Sequence, residues 1–167
     1  ANGITPFATL YHWDLPQALD ELGGWRERST IDAFANYADV VTRRLGDRIT
    51  QWTTHNEPFV VGFLGHLIGE HAPAKKEGWK SALQVIHHLL VSHGAAAQVI
   101  RANVPDAQVG IVTNHAWVDA VSDSPQDLAA KRSMEGYHNR WFLDPLFKGE
   151  YPADMLEASG NDATTIA

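Results

Sequence analysis

Hydrophobic and polar positions along the chain follow two different periods. Short β-favouring runs occupy residues 7–11, 49–55 and 109–113. After each run, apolar residues recur three or four positions apart, as on one face of a helix. These helical patterns cover residues 30–45 and 81–103 and a third stretch that opens at Ser124 and Pro125. The order strand, loop, helix therefore occurs three times, which is typical of a parallel sheet with helices packed outside it.

Residues near the ends of these helices refine the prediction. Ser29 and Asp32 have capping-box spacing, and Gly46 follows the first helix where a terminating glycine is common. Pro105 disfavours helical geometry at Val104, so the second helix should end there. Ser124 is expected to cap the third helix, with proline at its first position.

Other stretches are predicted with less regular structure. Residues 62–78 contain several glycines and are predicted to form a loop, and residues 142–152 are predicted to be aromatic-rich and irregular. The third helix should bury one face, which carries Ala130, Met134, Tyr137 and Trp141.

The spacing of the strands leaves two architectures open. The three strands begin near residues 7, 49 and 109, so one unit averages roughly 50 residues. Eight such units would need about 400 residues, within the upper range of a (β/α)8 barrel. A doubly wound sheet has the same alternation, so periodicity alone does not choose between the two.

Composition excludes several classes of protein. Apolar residues make up 44% and charged residues 20%, as in a soluble globular domain. Thirteen basic and twenty acidic residues give a net charge of −7, which argues against a nucleic-acid partner. There is no cysteine, so disulfides and thiolate metal sites are excluded. No apolar run approaches the roughly 20 residues that cross a bilayer, so no membrane partner is expected.

The two ends suggest a longer protein. The chain starts at Ala1 without methionine and stops at Ala167 in a polar stretch. We therefore expect residues 1–167 to be a fragment of a single domain that is truncated at both ends. No leader is visible, which leaves the compartment open and slightly favours the cytoplasm.

The most specific candidate for chemistry is the tripeptide Asn56-Glu57-Pro58 at the end of the second strand. Glu57 could donate a proton to a leaving oxygen, and Asn56 could hold a substrate hydroxyl. The alternative is a turn or helix-capping motif, because asparagine and proline are common in both. Strict alternation also places adjacent strand residues on opposite faces, so both side chains can share a pocket only if the strand is bulged or irregular.

The other strands end in polar side chains as well. His12 and Trp13 follow the first strand and could bond and flank a polar ligand, although a packed loop corner is the alternative. Asn114 follows the third strand in the position that corresponds to Asn56. Parallel α/β folds gather their sites at the carboxyl ends of strands. His87, His88 and His93 lie on the second helix, but their spacing does not fit a metal site, so no metal is predicted.

Four stretches together resemble glycoside hydrolase family 1, the β-glucosidase family. They are residues 9–17 (TLYHWDLPQ), 52–58 (WTTHNEP), 69–73 (GEHAP) and 141–152 (WFLDPLFKGEYP). The resemblance runs over nearly the whole chain. It implies an α/β fold that is part of a (β/α)8 TIM barrel, with about units three to five of the eight present.

The resemblance also implies roles for the candidate residues. Glu57 matches the acid/base of a retaining β-glycosidase, and Asn56 matches the residue that bonds the sugar 2-hydroxyl. His12 matches a ligand of the glycone hydroxyls, Trp13 lies beside it, and Asn114 matches a polar residue near the site. Leucine is common in the family where this chain has His55. The Asn-Glu-Pro sequence is more similar to glucosidases than to phospho-glucosidases.

The family nucleophile, a glutamate in a Glu-Asn-Gly segment, does not occur in this sequence. Retaining hydrolysis needs two carboxyl groups, so residues 1–167 alone are expected to be inactive. The implied substrate is a β-glucoside or oligosaccharide, with no cofactor. The alternative is a non-catalytic sugar-binding or interaction protein on the same barrel.

Overall fold

The computed structural model describes residues 3–166 of the chain and divides it into two compact units, one ending at Val112 and one beginning at Thr113. The first unit contains, in order, β1 Phe7–Tyr11, α1 Gln17–Glu21, a 3-10 helix Gly24–Arg26, α2 Ser29–Leu45, β2 Gln51–Asn56, a π-helix Val60–Ile68, α3 Trp79–Asn103 and β3 Gln108–Val112. The second unit contains α4 Pro125–Glu135, a π-helix Gly136–Arg140, α5 Trp141–Lys148, α6 Ala153–Ser159 and a 3-10 helix Gly160–Thr165.

The three strands form one parallel sheet in the order β1-β2-β3. Phe7 pairs with Gln51 and Tyr11 with His55, so β1 and β2 run in register. Since all three strands point the same way, their carboxyl ends lie at one edge of the sheet. The predicted strand–helix alternation and parallel sheet are thus confirmed.

Helix α3 contacts β2 and β3, and α2 packs against α3. Their apolar faces enclose a core that includes Trp25, Phe34, Trp52, Leu89 and Ile100, each at most 6% exposed. Asn103 near the end of α3 donates hydrogen bonds to Asp39 and Thr42 of α2, which joins the two helices away from the site. The helices therefore hold the sheet from one side and leave the strand ends free.

The capping-box prediction for α2 is wrong. Arg28 is the N-cap, its side chain makes no capping hydrogen bond, and Ser29 lies inside the helix. Gly46 follows α2 as predicted, but its φ of −67° is ordinary helical geometry. Glycine is needed there for space, since a Cβ would lie 2.4 Å from Val104 Cγ2.

The loop predicted over residues 62–78 is wrong in its first part, where the π-helix Val60–Ile68 is formed. Its glycines allow close packing: a Cβ on Gly62 would lie 2.3 Å from Ile86 Cγ1, and one on Gly65 would lie 2.5 Å from the Ala72 carbonyl oxygen. Here glycine marks tight contacts of a helix. Residues 69–78, which we call the 69–78 loop, connect this π-helix to α3.

α3 ends as predicted, because Val104 before Pro105 is extended with φ −130°. In the second unit, Ser124 caps α4 by accepting a hydrogen bond from the Asp127 amide at 3.1 Å, also as predicted.

Two predictions for the second unit are wrong. Ala130 and Met134 are exposed, and only Trp141 of the predicted inner face is fully buried. Residues 142–152 are also more regular than predicted, since most of them belong to α5. Among residues 3–166, no helix combines the length and apolar character that crossing a membrane requires.

Candidate active site

Glu57 lies at the turn where β2 ends and the following helix begins. Its amide donates to the Val112 carbonyl oxygen at 2.8 Å, which continues the pairing with β3 by one residue. Its own carbonyl accepts from the Val60 and Val61 amides at 2.9 and 3.3 Å, which starts the helix. The backbone makes this change of direction at Glu57 with φ +50°, in the left-handed region.

The pairing of β2 with β3 contains the irregularity that a shared pocket requires. Thr53 pairs with Gly110 and Asn56 with Val112, so three steps along β2 match two steps along β3. Thr54 and His55 occupy the extra position. Although adjacent, both side chains hydrogen-bond to α3, His55 to Ser92 and Thr54 to His93, each at 2.8 Å. Alternation is interrupted just before Asn56, which removes the objection that Asn56 and Glu57 must face opposite ways.

Trp13 connects the end of β1 to the end of β2. Its indole Nε1 donates to the Asn56 carbonyl oxygen at 2.9 Å, a contact that the sequence did not indicate. The ring of exposed His12 lies 4.9 Å from the Trp13 ring. His12, Trp13, Asn56 and Glu57 are therefore brought to one edge of the sheet, as predicted from their positions after the strands.

Backbone strain coincides with the same residues. Trp13 has φ +76° and Glu57 has φ +50°, and the only other non-glycine residue with positive φ in the described part of the chain is Ala74. Such conformations cost of order 1–3 kcal/mol and persist where the surroundings impose them. Two of these three residues are candidate site residues, which is consistent with a site that requires fixed geometry.

Asn114 belongs to the second unit and follows β3 by two residues. Its side-chain Oδ1 is buried and has no hydrogen-bond partner among the described residues. A buried acceptor without a partner is uncommon in folded proteins and is often explained by a ligand or water. The loop after it is fixed by Asn139, whose amide bonds both the amide and the carbonyl of Ala116 at 3.1 and 2.9 Å.

His71 is a neighbour of the site that the residue-by-residue prediction missed. It lies in the 69–78 loop, is exposed, and its ring is 5.4 Å from the Trp13 ring at an interplanar angle of 84°. The sequence contained one signal for it, because His71 is part of the third stretch that carries the family resemblance. No role followed from that resemblance.

His55 is packed in the core behind the site. Its ring stacks on Phe34 at 4.4 Å and meets Tyr11 and Trp25 edge-on at 5.6 and 5.4 Å. Complete burial, with a smaller contribution from the charge on His93, lowers the pKa of His55 to about 3.

The hydrogen-bond partners of the two ring nitrogens determine the tautomer of His55. The Ser92 hydroxyl donates to the Leu89 carbonyl oxygen, so its oxygen accepts from His55 Nε2. His55 Nδ1 is then a buried acceptor without a partner among residues 3–166. A neutral imidazole therefore occupies the position where leucine is common.

The helix histidines serve packing in this structure. His88 is buried, with Nδ1 2.8 Å from the Trp25 carbonyl oxygen, and His93 bonds Thr54 as described above. Within the part of the chain that the structure describes, no three histidine or carboxylate side chains form a group that could hold a metal ion.

Parallel strands, outer helices and polar side chains at the strand ends define an α/β protein with a candidate site at the carboxyl ends of its strands. The chain belongs to glycosyl hydrolase family 1, whose family model matches residues 1–167. Its three strand–helix units are accordingly part of a (β/α)8 TIM barrel, as the resemblance implied.

Individual relatives agree with this family. A beta-glucosidase A of Acetivibrio thermocellus is 46% identical over 93% of this chain and 35% of the relative. A 6-phospho-beta-glucosidase, GmuD, of Bacillus subtilis is 41% identical over 94% and 34%. A Thermotoga maritima beta-glucosidase in complex with deoxynojirimycin superposes with a TM-score of 0.89 at 44% identity, over 93% of this chain and 35% of that one. The chain thus spans about a third of the length of these relatives.

Proposed function

We propose that the protein containing this chain is a retaining β-glycosidase of the β-glucosidase type, with Glu57 as general acid/base. The observation that carries the proposal is the position of Glu57. It lies at the carboxyl end of β2, with its backbone held at φ +50° by bonds to β3 and the following helix. Glu57 is partly exposed at that edge, where its carboxyl group can reach a substrate that lies above the sheet.

In the proposed reaction, protonated Glu57 gives its proton to the glycosidic oxygen as the bond to the anomeric carbon breaks. A second carboxylate attacks that carbon from the opposite face and forms a glycosyl-enzyme ester. Glu57, now ionised, removes a proton from water as the water displaces the ester. Glu57 returns to its protonated form, and the configuration at the anomeric carbon is retained.

The neighbouring side chains are proposed to hold the sugar. The Asn56 amide is proposed to bond the 2-hydroxyl, and the interrupted alternation just before Asn56 supports this role. His12 offers ring nitrogens to other hydroxyls, and the Trp13 indole forms a wall beside it. From the family resemblance we propose Asn114 as a further acceptor for a sugar hydroxyl, and its Oδ1 has no hydrogen-bond partner among the described residues.

Mutation of Glu57 tests the acid/base role. In the full-length protein, Glu57→Ala should lower kcat/KM by about a thousandfold for an alkyl β-glucoside, whose leaving group needs a proton. A dinitrophenyl β-glucoside needs no protonation and should lose much less in the first step. Azide, which needs no general base, should then accelerate turnover and give β-glucosyl azide.

The matched control is Glu70→Ala, which removes an exposed carboxylate from the 69–78 loop and should leave activity unchanged. Equal losses on both substrates, with no effect of azide, would contradict the assignment. Full-length wild-type protein that binds glucose but hydrolyses no glycoside would instead favour the sugar-binding alternative. We also propose a preference for the unphosphorylated sugar, because the Asn-Glu-Pro sequence is more similar to glucosidases than to phospho-glucosidases. Comparison of kcat/KM for a β-glucoside and for its 6-phosphate tests this preference.

We also propose that the nucleophile lies outside residues 1–167, which form a truncated piece of one barrel domain. The isolated chain should therefore release no nitrophenol from an aryl β-glucoside. Release that Glu57→Gln abolishes would show that these residues suffice for catalysis.

A further inference from the structure

The carboxylate of Glu77 joins three segments around the candidate site. Its Oε1 lies 2.8 Å from Arg26 Nη1, and its Oε2 lies 3.0 Å from His66 Nδ1 and 2.8 Å from Ser81 Oγ. Arg26 belongs to the 3-10 helix after β1, His66 to the first π-helix and Ser81 to the first turn of α3. One side chain at the end of the 69–78 loop thus holds together elements that follow different strands.

These contacts stabilise the ionised carboxylate of Glu77. Burial alone would raise the pKa of Glu77, but hydrogen bonds from His66 and Ser81 and the charge of Arg26 hold this pKa below its ordinary value. Burial lowers the pKa of His66, so His66 donates from Nδ1 as a neutral ring. The His66 side chain is only 2% exposed, so it has no water to replace a lost carboxylate.

A second ion pair ties the 69–78 loop to the segment that follows β1. Lys75 Nζ lies 2.6 Å from Asp20 Oδ1, and its backbone amide donates to the Gly65 carbonyl oxygen at 2.8 Å. Below these contacts is a cavity of about 210 Å³, whose lining includes Trp13, Trp25, His66 and Pro73. The loop is also tied to the π-helix at its start, where the His71 amide donates to the Leu64 carbonyl oxygen at 3.2 Å. Lys75 and Glu77 therefore add side-chain contacts at the far end of a loop that borders this cavity.

The 69–78 loop contacts Trp13 beside the candidate site. His71 packs edge-on against the Trp13 ring, whose indole in turn donates to the Asn56 carbonyl oxygen beside Glu57. The Trp13 backbone is held at φ +76°, a conformation that a residue with a side chain adopts only under constraint. The 69–78 loop thus carries His71, which contacts Trp13, and Glu77, which bonds three neighbouring segments, six residues apart.

We propose that Glu77 is a positioning residue, which fixes the 69–78 loop so that His71 holds Trp13 in place as a wall of the sugar site. This inference rests on the proposed function, since it assigns Glu77 to that same site. Glu77 does not touch substrate in this assignment. It acts only through His71 and Trp13.

The test uses Glu77→Gln in the full-length protein, because glutamine keeps the size but presents an amide to three donors. KM for an aryl β-glucoside should rise about tenfold while kcat stays within about twofold, since the acid Glu57 is untouched. In a His71→Ala background the same change should add less than about twofold, because the contact of the loop with Trp13 is already lost. Asp39→Asn is the matched control. Asp39 also accepts hydrogen bonds from an arginine and a neutral donor, Arg43 and Asn103, but lies on α2 away from the site.

A second measurement does not depend on activity. The Trp13 indole proton, assigned by its loss in Trp13→Phe, should exchange with solvent about tenfold faster in Glu77→Gln and at the wild-type rate in Asp39→Asn. Ser81→Ala removes one of the three donors to Glu77, so it should raise KM and the exchange rate by less than Glu77→Gln does. This variant tests the proposal if Glu77→Gln does not fold.

The outcomes separate the two proposals. Wild-type protein without glycosidase activity would refute the proposed function, and the exchange measurement would still test the positioning role. The positioning role would be overturned if the Trp13 indole proton exchanged at the wild-type rate in both Glu77→Gln and Ser81→Ala. It would also be overturned if the rise in KM of the Glu77→Gln/His71→Ala double variant equalled the product of the two single effects.

Discussion

Replacement of His55 by leucine should make the stability of the protein less sensitive to acid. At pH 7 the substitution removes a buried acceptor, His55 Nδ1, which has no partner within residues 3–166 and whose burial costs about 1–3 kcal/mol. It also removes the bond to Ser92, worth about 1 kcal/mol, and the stacking on Phe34, worth roughly as much. These terms nearly cancel, so the free energies of unfolding at pH 7 should agree within about 1 kcal/mol.

Acid changes this balance. The pKa of His55 falls from 6.5 to about 3 on folding, so the unfolded chain takes up a proton below pH 6.5 and the folded protein does not. The contribution of a neutral His55 is present above pH 6.5 and is lost progressively as the pH falls toward 3. Between pH 7 and pH 5, protonation of His55 raises the population of the unfolded state relative to the folded state by about 25-fold, which is ~2 kcal/mol of stability. The leucine variant should therefore be about 2 kcal/mol more stable than wild type at pH 5.

Urea unfolding of the full-length protein at both pH values, followed by circular dichroism, measures this difference. Other histidines contribute equally to both proteins and cancel. Phe34→Leu is the matched control, because it disturbs the same cluster without removing a titrating group and should lower stability equally at both pH values. If wild type and His55→Leu lose the same stability between pH 7 and pH 5, His55 is not held neutral by burial and the reasoning is refuted.

Four further substitutions should have opposite or separable effects. Gly62→Ala should destabilise the protein by about 1–3 kcal/mol, because its Cβ would lie 2.3 Å from Ile86 Cγ1. Gly94→Ala, in an open position of α3, should stabilise the protein by about 0.5–1 kcal/mol. Thermal melts of both variants check the two signs. Trp13→Phe keeps a ring but leaves the Asn56 carbonyl without its donor, so KM should rise about fivefold, and an unchanged KM would show that the bond does not position the site. Ser124→Ala should cost about 1 kcal/mol by removing the cap of α4, and a native-like Tm would argue against that cap.

The elements with long, regular patterns were predictable from the sequence. The apolar stripes of α2 and α3 and the signals at Pro105 and Ser124 depend on local propensity, and the structure has those features. Placing His12, Trp13, Asn56 and Glu57 at one edge required only that parallel strands share a direction. The roles assigned to these four residues and to Asn114 came from the family resemblance and stay predictions.

The parts that local patterns missed depend on contacts between distant residues. Gly62 and Gly65 read as loop glycines, but they allow a π-helix to pack against Ile86 and Ala72. The bulge in β2 is visible only from its pairing with β3, because it is defined by the register of two strands. The Glu77 contacts likewise join residues up to 51 positions apart, which no sequence window covers.

The buried polar side chains of β2 have a consequence for how the sheet finds its alignment. Thr53, Thr54 and His55 are each at most 4% exposed, and each bonds a different partner: Thr9 on the neighbouring strand, and His93 and Ser92 on α3. A shift of β2 by one residue would separate all three pairs at once, at about 1–3 kcal/mol for each buried group left unbonded. A wholly apolar strand could slide with a smaller penalty. The buried hydroxyls and imidazole of β2 thus favour one register of β2 in the sheet, and that register places Glu57 at the edge of the sheet.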